Sequence, residues 1–335
     1  MPVKFKIDKF VIAIVVSIAV AYFFPQLAAS DSPVPMDTIS SIGISLIFFF
    51  YGLSLSTQAI KNGLKNWRLH VVVQSSTFLL FPLVILIFYP FVKGSEYELT
   101  WLSFLFLAAL PSTVSSSVVM VSMAKGNLPA AIFNASISGI LGIIFTPLWM
   151  MPFVQQTDIV FDFTSIYLQL ITEIVVPLIL GLLLRRFWSE WAHRQKRKLD
   201  LFDKFVILLI IYKSFVHSFE DKIFSNLNIW DMTIMVVLTL ILFFVIYSLT
   251  GWFGRILNFN RADQITNQFC GTKKSLVHGT VFSEALFGQT GIIGILILPL
   301  MFYHAFQILI VSVIAGRIGK KRVEISLWAP ADFRE

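Results

Sequence analysis

The sequence predicts an all-α polytopic membrane protein: ten transmembrane helices in two inverted five-helix repeats, with two discontinuous helices that cross. Three observations lead there. Of 335 residues 57% are hydrophobic and 13% charged, about half the ~25% charged fraction of a soluble domain. Apolar runs of about 20 residues, the length of a bilayer-spanning helix, recur along the whole chain. Two of these runs, about half the chain apart, are interrupted by clustered polar residues.

Ten spans can be read, at roughly 10–24, 38–58, 69–92, 99–123, 128–154, 164–184, 200–219, 229–254, 262–287 and 291–316. The fourth is broken at Pro111 and the ninth near Gly271. The excess of Phe over Tyr, 34 against 8, fits lipid-facing helices better than the period-two strands of a barrel. The first run also resembles a secretory signal, with Lys4, Lys6 and Lys9 ahead of it and Leu-Ala-Ala-Ser at 27–30. It is read as a span, because its removal would leave nine and spoil the repeat. Cys270, a lone cysteine, excludes an intramolecular disulfide.

Lys and Arg in alternate loops set the orientation. The N-terminal tail, the 61–68 loop, Lys125, the 185–204 loop, Arg255, Arg261 and the C-terminal tail share one side, whereas the other side holds only Lys93 and Lys222. Both termini are therefore expected in the cytoplasm, and the lack of extensions favours a bacterial inner membrane. The net charge of +7 reflects these loops and argues for no nucleic-acid partner. The 185–204 segment, with seven Lys and Arg, is expected to be a solvated connector, not a domain boundary.

Leu141–Met150 (LGIIFTPLWM) parallels Ile293–Phe302 (IGILILPLMF), and Ile14-Val15-Val16 parallels Ile174-Val175-Val176. These matches divide the chain into a first repeat at 1–155, a second at 156–318 and a cytoplasmic tail at 319–335. Five spans per half forces inverted halves, a transporter signature.

A broken helix frees backbone groups that lipid cannot satisfy, so it must be buried in protein or line a wet cavity. Half-helix N-termini then favour anions, and freed carbonyls favour cations. Pro111 removes one amide donor, and Gly271 permits backbone angles forbidden to other residues. Ser112, Thr113, Ser115, Ser116, Ser117, Thr272 and Ser275 offer oxygens to a hard cation or a polar substrate.

Ala108–Gly126 (AALPSTVSSSVVMVSMAKG) and Gln268–Ser275 (QFCGTKKS) resemble the two crossing helices of the bile acid:sodium symporter family. The second motif resembles a divergent branch of that family. The resemblance covers essentially the whole chain. It implies a four-span panel (spans one, two, six and seven) against which the remaining spans, the core, rock. It also implies two sodium ions near the crossing. Ser117 fits the family's serine, with Gln74, Asn134, Ser138 and Gln268 as further ligand candidates; sodium is expected at Ser117, Asn134, Ser138 and Gln268. The chain departs from the pattern where Val118 replaces an asparagine, Phe269 an acidic ligand, and Lys273-Lys274 a Gln-Asn pair.

A charge at the bilayer centre costs roughly 3 kcal/mol on insertion scales. At 4 Å and an effective dielectric of 20, one ammonium would repel a sodium ion by about 4 kcal/mol. Three readings of the lysine pair follow. An ammonium takes the place of sodium and couples transport to protons, since burial can bring a lysine's proton within reach of neutral pH. Alternatively the pair attracts an anionic head group. In the third reading it snorkels to water and holds the crossing through helix C-terminal carbonyls.

His278 and Glu284, on the second half-helix, are candidates for a proton relay. Glu173 is expected to neutralise Lys213 on the adjacent span, His304 and Gln289 to be hydrogen-bonded within the bundle, and Asp31, Asp37, Asp158 and Asp162 to be surface acids of external loops.

The leading function is secondary transport by alternating access, coupled to sodium or protons and needing no other cofactor; an organic, bile-acid-like amphipathic anion as the substrate is what the resemblance implies. Its partners are the bilayer and that small-molecule substrate. A non-transporting ion or lipid sensor is the main alternative. A cation/proton antiporter normally needs an aspartate at the crossing, and none lies there. The sequence has no H-E-x-x-H, paired intramembrane aspartates or G-x-S-x-G elbow, which argues against an intramembrane enzyme.

Overall fold

The computed structural model describes residues 9–29, 32–55, 66–113, 115–154, 168, 171–220, 222, 228–288 and 290–328. Among these the regular elements are helical. They are α1 (Lys9–Phe23), α2 (Met36–Ser54), α3 (Trp67–Leu86), α4 (Glu98–Ala109), α5 (Ser115–Met123) and α6 (Leu128–Val154). Then come α7 (Val176–Arg194), α8 (Lys196–Glu220), α9 (Ile229–Ile256), α10 (Arg261–Thr272), α11 (Leu276–Phe287) and α12 (Ile293–Trp328). Short 3₁₀, π and α turns at Pro25–Leu27, Ile171–Val175 and Tyr89–Val92 complete the described elements.

Five helices, α2, α3, α6, α9 and α12, are long and apolar enough to cross a membrane, and the protein is an integral membrane protein. Others fall short for identifiable reasons. α7 and α8 carry the basic residues of the 185–204 segment into their ends, and α4, α5, α10 and α11 are half-helices. That segment is largely exposed, as a solvated connector would be, but it is helical except at Gln195, with two exposed i,i+4 pairs, Glu190–Arg194 and Lys196–Asp200. Likewise α12 runs past residue 318 to Trp328. The junction proposed at 155/156, together with Asp31, Asp158, Asp162 and Gln289, lies outside the described residues.

Packing divides the helices into two groups. α2 lies along α7 and α8, and α1 along α8. Gly52 and Gly181 set the α2–α7 approach: a Cβ on Gly52 would strike the Leu178 carbonyl, and one on Gly181 the Phe49 carbonyl. Ser17 and Tyr212 bind α1 to α8 through the Leu208 carbonyl (2.9 Å) and the Phe24 carbonyl (2.7 Å). The second group comprises α3 to α6 and α9 to α12, with α9 against α10 and α12 against α4, α11 and α5. Asp263 staples it near the basic loops, accepting from Asn66 (3.0 Å), Asn260 (2.7 Å) and Asn127 (2.7 Å). Between the groups, α8 packs on α11 and α12.

Candidate functional site at the crossing of two broken helices

The first break follows Leu110, whose ψ of 153° turns the chain out of α4 into the non-helical Pro111-Ser112-Thr113. The second spans Lys273 to Ser275, both extended, with ψ of 147° and 115°. The two segments run past each other, and the Ser275 amide donates to the Pro111 carbonyl at 2.9 Å.

Broken helices strand carbonyls and amides in apolar surroundings, where each unpaired group costs several kcal/mol. Many of those groups have partners within the protein. At the C-terminus of α4, Ala108 and Leu110 carbonyls accept from Lys274 Nζ at 2.6 and 2.8 Å, and the Ala109 carbonyl accepts from Thr146 at 2.9 Å. At the C-terminus of α10, Ser112 Oγ donates to the Cys270 carbonyl at 2.8 Å and Tyr303 OH to the Thr272 carbonyl. Gln307 pairs with both main-chain groups of Lys274, accepting from its amide at 2.9 Å and donating to its carbonyl at 2.7 Å. The Ser112 amide donates to Ser138 Oγ at 2.9 Å. Ser275 caps α11 by accepting from the His278 amide at 3.3 Å.

The two lysines are fully buried and do not snorkel to a cavity. Lys274 directs all three N–H bonds to carbonyls, the third to Thr77 at 2.8 Å, and its ammonium lies 4.1 Å from the Phe81 ring centroid. Two of those carbonyls end α4, where the helix dipole welcomes a cation. This is the carbonyl-holding role among the three readings, without the snorkelling attached to it. Lys273 is less saturated. Its Nζ meets the Ser116 carbonyl at 2.8 Å and, more loosely, Ser116 Oγ at 3.4 Å. It sits at the N-terminal end of α5, with the N-terminus of α11 just beyond Ser275. Both ammoniums are partnered by carbonyl and hydroxyl oxygens, not carboxylates.

Other sequence candidates divide between those at the crossing and those turned away. Thr113 bonds Ser116 Oγ at 2.7 Å and Ser117 Oγ at 2.9 Å, starting α5. The Ser115 side chain lies outside the described residues. Gln74 Nε2 donates to the Asn134 carbonyl and Oδ1, both at 3.1 Å, leaving its own Oε1 buried and unpartnered. Gln268 turns toward α9, donating to the Tyr247 carbonyl at 2.9 Å, so it is not gathered with Ser117, Asn134 and Ser138. Ser117 and Ser138 already engage Thr113 and the Ser112 amide.

Gly271 lies inside α10, before the break, not at it. A Cβ there would come within 3.2 Å of Ser76 Cβ and 3.4 Å of Thr250 Cγ2. Its smallness serves a close approach instead of a special backbone angle. Thr272 Oγ1 closes back onto the Gln268 carbonyl.

His278 meets Ser275 Oγ at 2.9 Å through Nδ1 and stands edge-on to Phe48 and Tyr51 of α2. Glu284 is remote from the crossing lysines and pairs with Lys213, which also meets Asp37. The expected Glu173–Lys213 pair is therefore not formed: Glu173 accepts from Ser41 Oγ at 2.6 Å. Asp37, expected to be a surface acid of an external loop, is exposed but lies in the first turn of α2 and pairs with Lys213. His304 Nδ1 lies 3.1 Å from Gln307 Nε2, inside the bundle.

Tyr303, Gln307, Thr146 and Phe81 were not anticipated. Tyr303 and Gln307 stand one helical turn apart in an apolar span, and that i,i+4 polar pair was the available signal.

Residues 8–320 match the family model described as SBF-like CPA transporter family. The chain is 34% identical over 319 residues, 95% of each chain, to an uncharacterised protein of Pseudomonas aeruginosa. It is 35% identical over 317 residues to sodium/bile acid cotransporter 7 of Xenopus tropicalis, covering 92% of this chain and 91% of that one. To the Mus musculus protein of the same name it is 33% identical over 318 residues, 92% of each.

Proposed function

The chain belongs to the SBF-like CPA transporter family, and from that premise we propose that it is a secondary transporter of an amphipathic organic anion working by alternating access. Ten spans in two inverted halves, 1–155 and 156–318, would form it, with a cytoplasmic tail at 319–335. Both termini would face the cytoplasm of a bacterial inner membrane. The panel would be α1, α2, α7 and α8, and the core the remaining helices, rocking about the interface at α8 and α11. The relatives named for sodium and bile acid support a bile-acid-like substrate, a sterol or other acidic lipophile.

The observation that carries the reading is the pair of ammoniums buried at the crossing with oxygen partners of no net charge. Lys274 acts as a tethered cation, filling carbonyl oxygens that would otherwise call for a metal ion. Lys273, with an N–H left over and two half-helix N-termini beside it, receives the substrate's anionic group once core and panel part. Coupling then runs on protons. Gln268 turns away, and Ser117, Asn134 and Ser138 are engaged with protein donors, which argues against a sodium site at these four residues.

The test is uptake of labelled organic anions, bile acids among them, into proteoliposomes under imposed sodium or pH gradients. Saturable accumulation driven by the pH gradient, insensitive to replacing sodium by choline and lost in Lys273→Gln, is expected. Binding without flux would overturn transport in favour of an ion or lipid sensor. Flux driven by sodium alone would overturn the tethered-cation account.

A further inference from the structure

Away from the crossing, near the ends of α2, α8 and α11 opposite the basic loops, a second buried charge cluster links the two helix groups. Lys213 of α8 places Nζ between Glu284 Oε1 of α11 and Asp37 Oδ1 of α2. The two carboxylates differ in kind. The Asp37 side chain is 83% exposed and belongs to the same group as Lys213, whereas the Glu284 side chain is 7% exposed and belongs to the other. The second Glu284 oxygen, Oε2, is buried with no partner. It borders a small cleft lined by Lys213, Ser214, His217, Gly288, Gly291 and Ile293.

We propose that Glu284 is a proton-binding site and that its ion pair with Lys213 is the latch closing this end of the protein. The charge arithmetic favours a switch. With Glu284 ionised, one ammonium serves two carboxylates and the α8–α11 tie is held. A proton taken from water at Oε2 neutralises Glu284 and leaves Lys213 fully balanced by Asp37, within its own helix group. The Lys213–Asp37 group and Glu284 are then each neutral on their own, no ammonium is stranded, and the tie across the interface is cut.

The surroundings leave few competitors for that proton. α8 adds His217, whose Nε2 lies 2.9 Å from the Ala28 carbonyl. α2 contributes Asp37, already counted. α6 carries no ionisable side chain, α12 brings Ile293 to the cleft, and α4 meets this end of α11 through Phe106 against Phe287. Ser218 holds α8 to the turn before α12 by neutral bonds, to the Gly291 carbonyl at 2.8 Å and from the Gly294 amide at 3.1 Å. Those bonds do not respond to pH and leave a pivot when the latch releases.

The inference rests on the alternating-access reading, yet its test needs no substrate. Exposed positions near this end, Leu27 in one group and Ile229 in the other, would be changed to Cys and spin-labelled on the full chain in lipid nanodiscs. The distance distribution would be recorded between about pH 8 and about pH 5. Wild type is expected to gain a longer-distance population on acidification. Glu284→Gln should show that population at every pH. The paired variant Lys213→Met/Glu284→Leu, which orphans neither charge, should do the same and guards against a fold defect in the single variant. A wild-type distance that does not move with pH overturns the proposal, as does a Glu284→Gln profile that tracks wild type. Absence of flux in the proteoliposomes would leave this result standing, and a static distance would leave the uptake assay standing.

Discussion

Lys274 and Lys213 are both buried ammoniums, and the structure satisfies them by different means. Lys274 lies among three main-chain carbonyls and an aromatic face. Lys213 lies between two carboxylates drawn from opposite sides of the interface. Carbonyls take up no proton near neutral pH, so acidification cannot undo the first arrangement. Carboxylates do, so the second can be undone by one proton. The same residue type thus serves once as a fastening within one helix group and once as an ion pair between the two groups.

Removing the fixed ammonium should have the largest effect. Lys274→Ala leaves three carbonyls without this donor in a dry site, and we expect a loss of about 3–5 kcal/mol in total, at about 1–3 kcal/mol for each unsatisfied acceptor. The same variant sharpens the comparison, because the emptied oxygen cage suits a monovalent cation. Thermal unfolding of the variant should then respond to sodium or potassium against choline, following RT ln(1+[L]/Kd), while wild type should not. Equal responses in both proteins would break the tethered-cation account.

Lys213→Met comes next, at about 3 kcal/mol near neutral pH, since it leaves Glu284 buried and unpaired. Adding Glu284→Leu should recover most of that loss, and a double-mutant cycle would measure the coupling. Recovery of this kind is not expected for Lys274, whose partners are backbone.

Gln307→Leu removes both main-chain partners of Lys274 and should cost about 1–3 kcal/mol without altering any charge. Smallest is Asp37→Asn. Because Asp37 is largely exposed, we expect less than about 1 kcal/mol, diminishing further with added salt.

The crossing was legible in the sequence because intramembrane charge is expensive and therefore informative. Lys273-Lys274 and the Pro-Ser-Thr run each disrupted a hydrophobic period, and the structure brings their backbones within hydrogen-bond distance. The family was legible through the same two motifs. Individual partnerships were not. Glu173 and Glu284 are equivalent as intramembrane acids in sequence, and only packing decides that α11, not the π turn at Ile171–Val175, presents its carboxylate to Lys213. Gln268 looked like a ligand because it adjoins the motif, but on α10 it faces α9. The break itself sits two residues past Gly271, since the extended residues are Lys273 to Ser275. Seven basic residues suggested a solvated connector at 185–204; the segment is largely exposed but helical, and two i,i+4 pairs support the ends of α7 and α8.

The π turn at Ser76–Leu80 within α3 has a consequence for how the gene can vary. Such a turn amounts to one residue inserted into an α-helix. Here the Thr77 and Phe78 carbonyls accept from Lys274 and from Trp149 Nε1, the latter at 2.7 Å, while Ser76 and Thr77 hydroxyls fold back onto Val72 and Val73. Deleting a single residue in this stretch would restore plain α pitch with Phe81 onward still in phase, and would lose the alignment of the Thr77 and Phe78 carbonyls on Lys274 and Trp149. Substitutions among the lipid-facing residues nearby, such as Leu79 and Leu83, leave that alignment alone. Descendants of this sequence should therefore vary in spelling here far more freely than in length.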